Sequence, residues 1–192
     1  MGKAAMAAMA ALVWWACLVA QAAPIRLPAG REPVAQGGSV TAAAQGALIR
    51  YRGWLLAVDG AVSEERPDVL LTSAKAGQAP QLRVGAAQRV LPVWSAFELV
   101  KGSVRLRITA LPGPDEVAAL LLDFGDGDYR IVIPATRIAP PAYPLLAQRF
   151  PGADLALLLQ DGRRIMLPLG QSRAQVFGEE QAVPYRFTKV KR

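Results

Sequence analysis

The chain has 192 residues, of which 53% are hydrophobic and 19% charged, with 22 Lys and Arg against 15 Asp and Glu. This balance excludes a disordered or acidic-tail protein. The 17 Gly and 15 Pro residues follow no triplet period, which excludes a collagen-like chain. The sequence has no histidine and one cysteine, so a Ser-His-Asp triad, a Cys-His pair and a His-ligated zinc site are excluded.

The first 22 residues have the three-part order of a secretory signal peptide. Met1-Gly2-Lys3 is positive, positions 4–20 carry no charge, and Ala20-Gln21-Ala22 places small residues before a cleavage site at Ala23. We therefore predict export to a bacterial periplasm and a mature chain without cysteine or disulfide. Two alternatives stay open: an uncleaved N-terminal anchor, because the apolar run is long enough to span a bilayer, and a lipoprotein modified at Cys17.

Beyond the leader, apolar and polar residues alternate with a period of two, which is typical of strands with one buried face. In 103–109, Val104, Leu106 and Ile108 are expected to point one way and Arg105 and Arg107 the other. The other predicted strands are 47–58, 129–133, 183–190 and the two apolar runs within 157–167.

Short turns separate these runs. Asp161-Gly162 predicts a type I′ hairpin, because both residue types tolerate the positive φ that this turn requires. Comparable turns are predicted at Asp59-Gly60, Lys101-Gly102 and 125–128. Turns this short favour antiparallel pairing, since parallel strands need long crossovers.

Helical signals are few. The run 117–122 follows Pro114-Asp115-Glu116 and fits either a helix or a buried strand, and we favour the strand because a turn and another strand follow at once. Positions 143–150 are predicted to form a short helix that ends at Pro151-Gly152. The chain is therefore predicted to be all-β, with nine to eleven strands in an antiparallel β-sandwich (Ig-like or similar) or a small barrel.

The predicted organisation has four parts: a signal peptide at 1–22, an extended lead-in at 23–38, a single β-rich domain at 39–188 and a basic C-terminal end at 189–192. The proline-rich stretch 134–151 is either a long crossover within that domain or a boundary between two domains. We favour one domain.

Two short segments resemble a known family. Asp123-Phe124-Gly125-Asp126-Gly127 resembles an element of PKD-type immunoglobulin-like domains, and Phe150-Pro151-Gly152 is similar to a later segment of that family. Leu122 stands where that family usually has tryptophan. The resemblance implies a β-sandwich and transfers no function.

Catalytic motifs are missing from the sequence, which has no G-x-S-x-G, G-x-x-x-x-G-K-[ST] or S-x-x-K run. The acidic residues lie mostly beside turns or in polar loops, where solvated turns need them. We therefore predict a non-catalytic protein without a cofactor, and keep a hydrolase with a pair of carboxylates as an alternative. Asp123, Asp126 and Asp128 are a weak calcium candidate, although hairpin chemistry explains this spacing better.

Two arginine pairs are candidate binding residues. Arg50 with Arg52, and Arg105 with Arg107, are each predicted to share one strand face. If the strands are neighbours, the arginines form a basic face that binds phosphate or carboxylate groups; otherwise they are the solvated face of an amphipathic strand, which we favour.

Trp54 and Trp94 are the tryptophans that follow the leader. Both lie in apolar surroundings, so we predict that they anchor the core, with ligand stacking or partner binding as the alternative.

These observations predict an exported periplasmic domain that is an accessory, assembly or protein-binding component of the bacterial cell envelope. An exposed strand edge or a basic face would dock onto an envelope protein. The alternative is a binder of an anionic lipid, glycan or phosphate-bearing ligand on the arginine face. Nucleic acid fits the charge of the chain but not the predicted compartment.

Overall fold

The alternation of apolar and polar residues produces strands throughout the part of the chain that the structure describes. The computed structural model describes residues 23–29, 37–42, 46–73, 78–113, 117–169 and 184–187. The first seven strands are β1 (Ile25–Leu27), β2 (Gly38–Ala42), β3 (Ala47–Tyr51), β4 (Trp54–Val58), β5 (Val69–Thr72), β6 (Gln81–Val84) and β7 (Ala87–Val90). The next seven are β8 (Ala96–Lys101), β9 (Val104–Pro112), β10 (Val117–Phe124), β11 (Tyr129–Pro134), β12 (Leu155–Gln160), β13 (Arg163–Pro168) and β14 (Tyr185–Phe187).

The described strands form two sheets of seven strands that pack face to face. The first sheet has the order β1-β8-β9-β10-β11-β12-β13, and the second sheet has the order β14-β2-β3-β4-β5-β6-β7. The predicted β-sandwich is confirmed, and the sheets do not close into the alternative small barrel. The fourteen described strands exceed both the predicted nine to eleven strands and the seven to nine strands of immunoglobulin domains.

Each sheet contains one strand that comes from the other end of the chain. The first sheet consists of β8–β13 with β1 added in parallel to β8, and the second sheet consists of β2–β7 with β14 added antiparallel to β2. The sheets therefore exchange their terminal strands.

Most of the predicted turns are confirmed. Asp161 and Gly162 have φ angles of 48° and 79° and join β12 to β13 in a hairpin. The turn after Lys101 joins β8 to β9, and residues 125–128 join β10 to β11. The run 117–122 lies in β10, which confirms the strand that we favoured over a helix.

Two predictions about the turns are wrong. The segment 47–58 forms two antiparallel strands, because Arg52 and Gly53 have φ angles of 44° and 85° and make a hairpin turn inside it. Asp59-Gly60 does not make a hairpin: the chain crosses over from β4 and returns as β5, parallel to β4. Pairing is thus not purely antiparallel, since β1–β8, β4–β5 and β11–β12 are parallel.

The parallel pairs β4–β5 and β11–β12 are built in the same way. Asp68, just before β5, accepts a hydrogen bond from the backbone N–H of Leu55 through Oδ2 (2.9 Å) and donates its own N–H to the carbonyl of Leu55 (2.8 Å). Asp154, just before β12, does the same with Arg130, with both distances 2.8 Å. Each aspartate therefore fixes a crossover strand to the second residue of its neighbour.

One apolar core lies between the sheets and a second layer lies outside the first sheet. The largest fully buried side chains between the sheets include Trp54, Tyr51 and Phe124. Outside the first sheet, the crossover from β11 to β12 contains a 3₁₀ helix (Pro140–Leu145) and the α-helix α1 (Leu146–Arg149), which confirms the predicted short helix. Tyr143 and Leu146 of this crossover pack on the outer apolar residues of β11–β13.

Several sequence predictions lie wholly or partly outside the described residues. These are the signal peptide at 1–22 with Cys17, residues 30–36 of the lead-in, the residues 114–116 that would begin the alternative helix, both ends of the predicted strand 183–190 and the basic end at 189–192. In the part of the chain that is described, no helix has the length and apolar character that a membrane crossing requires.

Candidate functional site

The chain passes from the second sheet to the first at a corner between β7 and β8. Leu91 N–H donates to the carbonyl of Pro80 at 2.9 Å, which continues the β6–β7 pairing. Ala110 of β9 then holds the corner, because it accepts a bond from Trp94 N–H (3.0 Å) and donates its own N–H to Ser95 (2.9 Å). Trp94 has a φ of 64°. This left-handed conformation costs a non-glycine residue about 1–2 kcal/mol.

Apolar side chains are exposed at this corner. Trp94 is 75% exposed, Val90 is 55% exposed and Val93 is 38% exposed. The prediction that Trp94 anchors the core is therefore wrong. The same prediction is confirmed for Trp54, which is 1% exposed and donates its indole N–H to the carbonyl of Val104 at 3.3 Å.

Strand β7 leads into the corner and forms an open edge of the second sheet. All four of its residues are exposed, and β6 is its one neighbour among the described strands. The turn between β6 and β7 is closed by Val84 and Ala87, and the next pairs are Arg83 with Gln88 and Leu82 with Arg89. Hydrogen-bonded and non-hydrogen-bonded pairs alternate in an antiparallel ladder. Gln88 and Val90 therefore direct their backbone N–H and C=O groups away from β6, toward the open edge.

The sequence segment that contains this edge has basic residues and no acidic ones. From Val69 to Phe97 the sequence contains three basic residues and no acidic residue. Arg83 and Arg89 are both exposed. Within the described residues, neither of these guanidinium groups makes an ion pair.

The predicted arginine pairs do not form one basic face. Arg105 and Arg107 share the outer face of β9 as predicted, but β9 lies in the first sheet and Arg50 lies on β3 in the second. Arg52 is not on the same strand face as Arg50, because it occupies the hairpin turn after β3.

Three of these four arginines are close to carboxylates. Arg50 bonds Glu65 through both terminal nitrogens, at 2.9 and 3.2 Å. Arg52 lies 3.4 Å from Asp128, and Arg105 lies 3.5 Å from a carboxylate oxygen of Glu98 and 3.5 Å from one of Asp126. Bonding to Arg50 lowers the pKa of Glu65 below its ordinary value.

The three aspartates of the calcium candidate face different directions. Asp123 bonds Arg130 at 3.0 Å, and Asp126 is exposed beside Arg105. Asp128 is buried and accepts a hydrogen bond from the hydroxyl of Tyr51 at 3.0 Å. Among the residues that the structure describes, no cluster of three acidic or thiol groups is placed to hold a metal ion.

A buried ion pair between the sheets was not predicted from the sequence. Arg164 of β13 is 3% exposed and donates to Asp59, to the hydroxyl of Ser73 (2.7 Å) and to the carbonyl of Leu157 (3.1 Å). Asp59 also accepts the backbone N–H of Ser73 at 2.7 Å. Every group in this network has a partner inside the protein, so it stabilises the fold and offers no free group for chemistry.

Aromatic rings close one end of the core around the C-terminal strand. Phe187 of β14 stacks on Tyr129 with a centroid distance of 3.9 Å and on Tyr51 with a distance of 5.8 Å. Burial raises the pKa of both tyrosines above the ordinary value, and hydrogen bonds to Tyr185 and Asp128 respectively add to the increase. These hydroxyls therefore stay protonated in the folded protein at neutral pH.

Comparisons of the chain with protein-family models, with curated proteins and with solved structures found no match. Among the described residues, the edge of β7 and the corner at Trp94 together expose unpaired backbone groups and apolar side chains.

Proposed function

We propose that this chain is an exported, non-catalytic domain of the bacterial cell envelope that binds a protein partner by strand addition at β7. It acts as an accessory or assembly component. The observation that supports the proposal is the open edge of β7, whose four residues are all exposed and which leads into the corner that carries exposed Trp94.

The edge has the properties that strand addition requires. Gln88 and Val90 present aligned backbone groups, with which an incoming strand can continue the ladder. Exposed edges are normally protected by short length, a charged side chain, proline, a bulge or a covering segment; β7 is short and carries Arg89, and it contains no proline. Within the described residues, β6 is the one strand that pairs with β7.

The corner adds an argument from energetics. A strained backbone and an exposed indole both cost stability, and such features are often retained at binding sites. Tryptophan is also enriched among the residues that dominate binding energy at interfaces. Trp94 is therefore well suited to contact a partner beside the added strand.

The arginine-face alternative has less support. Arg50, Arg52 and Arg105 already lie beside carboxylates, and the pairs lie on different sheets. An anionic ligand would have to displace those carboxylates to reach the guanidinium groups.

Export is supported by the order of charge, apolar run and small residues in the first 22 residues. The test is to express the full chain in a bacterium, separate periplasm from cytosol and sequence the N-terminus of the product. We expect a periplasmic protein that begins at Ala23. A cytosolic product that keeps Met1 would refute the export part of the proposal.

Strand addition is tested by affinity capture from envelope extract with two matched variants. Gln88→Pro removes a backbone N–H that points to the open edge and leaves the bonds to β6 in place. Gln88→Ala keeps that N–H but, like the proline variant, loses the side-chain bond to Gln81. We expect wild type and Gln88→Ala to capture the same partner and Gln88→Pro to lose it, with all three proteins equally folded by circular dichroism. An identical set of captured proteins with all three would contradict strand addition.

A further inference from the structure

The charge around β7 indicates what kind of strand it accepts. Arg89 projects from the edge strand on the same face as Leu82, and Gln88 and Val90 project from the other face. A strand added next to β7 would place its side chains alternately beside Arg89 and beside Val90. An acidic residue fits the first position and an apolar residue fits the second.

Arg83 adds a more distant positive charge on the face of Gln88 and Val90, one strand further from the open edge. It lies on β6 opposite Gln88, is exposed and, like Arg89, has no ion pair in the described part of the chain. Arg50 of β3 and Arg105 of β9 differ, since they have carboxylates beside them within the chain, whereas exposed Arg107 of β9 has no ion pair in the described part. At the β7 edge the complementary charge has to come from outside the Val69–Phe97 segment, which contains no acidic residue.

A second copy of this chain fits the edge poorly. Pairing of β7 with β7 of another copy would bring the two Arg89 side chains to one seam, with each Arg83 one strand further away, and like charges opposite each other on paired strands are destabilising. The formal net charge of +7 on each copy adds repulsion over a longer range.

We infer that β7 receives an extended acidic segment of a different protein, in which acidic and apolar residues alternate, with Arg89 contacting the acidic residues and Val90 and Trp94 the apolar ones. The inference rests on the proposed function and specifies the chemistry of the partner. The Coulomb attraction between partners of opposite charge would also speed their association at low ionic strength.

The test uses three fluorescein-labelled peptides and the mature chain from Ala23. Each peptide has about four repeats of two residues, Glu-Val, Gln-Val or Lys-Val, so that the peptides differ only in the charge of alternate side chains. Fluorescence anisotropy gives the affinity at low and at physiological salt. We expect Glu-Val to bind about fivefold to tenfold more tightly than Gln-Val at low salt, and this preference to shrink as salt screens the charges.

Four variants and a control test whether the preference for Glu-Val over Gln-Val arises at the edge of β7. Arg89→Glu should abolish or reverse the preference for Glu-Val, and the matched control Arg163→Glu, which makes the same charge change at the exposed first residue of β13, should leave it unchanged. Trp94→Gly should lower the affinity for all three peptides by a similar factor, because it removes an apolar contact and no charge. Gln88→Pro should abolish binding and Gln88→Ala should preserve it.

The outcomes separate the partner chemistry from the mode of binding. Equal affinity for Glu-Val and Gln-Val, lost in Gln88→Pro, would overturn the acidic partner and leave strand addition standing. Affinity for Glu-Val that survives Gln88→Pro would place binding elsewhere and count against the proposed function as well. A dissociation constant for the Glu-Val peptide above about 1 mM overturns the inference. So does a dimer in sedimentation analysis that Gln88→Pro dissociates, because β7 would then accept a second copy.

Discussion

Replacement of Arg164 tests whether the buried ion pair holds the two sheets together. Arg164→Met keeps an apolar stem of similar length in β13 but removes every donor to Asp59, Ser73 and Leu157. The side chain of Asp59 is 11% exposed, so its carboxylate would be left almost fully desolvated without a cation. Removal of one member of a buried pair costs about 3–5 kcal/mol.

That cost is large for a protein of this size. The free energy of unfolding of a domain is about 5–15 kcal/mol, and its slope with urea is about 2 kcal/mol per molar for a small protein. A loss of about 4 kcal/mol therefore moves the midpoint of urea unfolding down by about 2 M. The fluorescence of buried Trp54 reports the transition.

Two comparisons isolate the ion pair. Arg163→Met changes the exposed neighbour in the same strand and should alter the free energy of unfolding by less than about 0.5 kcal/mol. The double variant Asp59→Asn with Arg164→Met removes both charges, and asparagine tolerates the positive φ at position 59. It should therefore recover about half or more of the free energy of unfolding that Arg164→Met loses. A loss below about 1 kcal/mol for Arg164→Met alone would show that the pair does not connect the sheets.

Three further results are expected. Gly38→Ala should cost about 1–3 kcal/mol in urea unfolding, because a Cβ at position 38 would collide with the ring of Phe187 and lie 2.5 Å from the carbonyl of Arg50; Phe187→Ala removes only the first of these contacts, so part of the cost should remain in the double variant. The free energy of unfolding should fall more steeply with pH above about pH 10, because the unfolded state there loses tyrosine protons that the folded state retains. The fall is up to about 1.4 kcal/mol per pH unit for each of the two tyrosines. Tyr129→Phe should flatten that slope in a pH titration followed by circular dichroism. Trp94→Gly should leave the melting temperature unchanged or raise it by about 2–4 °C while weakening partner binding, since it relieves a left-handed residue; a large drop in melting temperature would contradict the surface role.

The sequence predicted the strands well because their two faces differ so clearly. Val104, Leu106 and Ile108 are buried and Arg105 and Arg107 are exposed, as the alternation indicated. The Asp161-Gly162 hairpin followed from residue types that accept a positive φ. Arg52-Gly53 adopts the same kind of turn, but arginine gives no such signal, and the alternation of Arg50 and Arg52 continues across the turn.

The long-range arrangement of the strands and side chains could not be predicted from the sequence, for physical reasons. Nothing local distinguishes the solvated Arg163 from the buried Arg164, because the partner of Arg164 is Asp59, 105 residues earlier. Asp59-Gly60 has the backbone of a hairpin turn, and yet the chain continues into a crossover to a parallel strand. Trp54 and Trp94 have similar apolar neighbours, and only the change of sheet at the corner between β7 and β8 leaves Trp94 outside the core.

The exchange of β1 and β14 between the sheets has a consequence for a chain that is cut in two. Cleavage at the corner between β7 and β8 yields an N-terminal fragment that carries β1, which belongs to the sheet of the other fragment, and a C-terminal fragment that carries β14, which belongs to the sheet of the first. Each fragment therefore supplies an edge that the other lacks. The two pieces should complement one another after dilution from denaturant and co-elute as one nicked molecule.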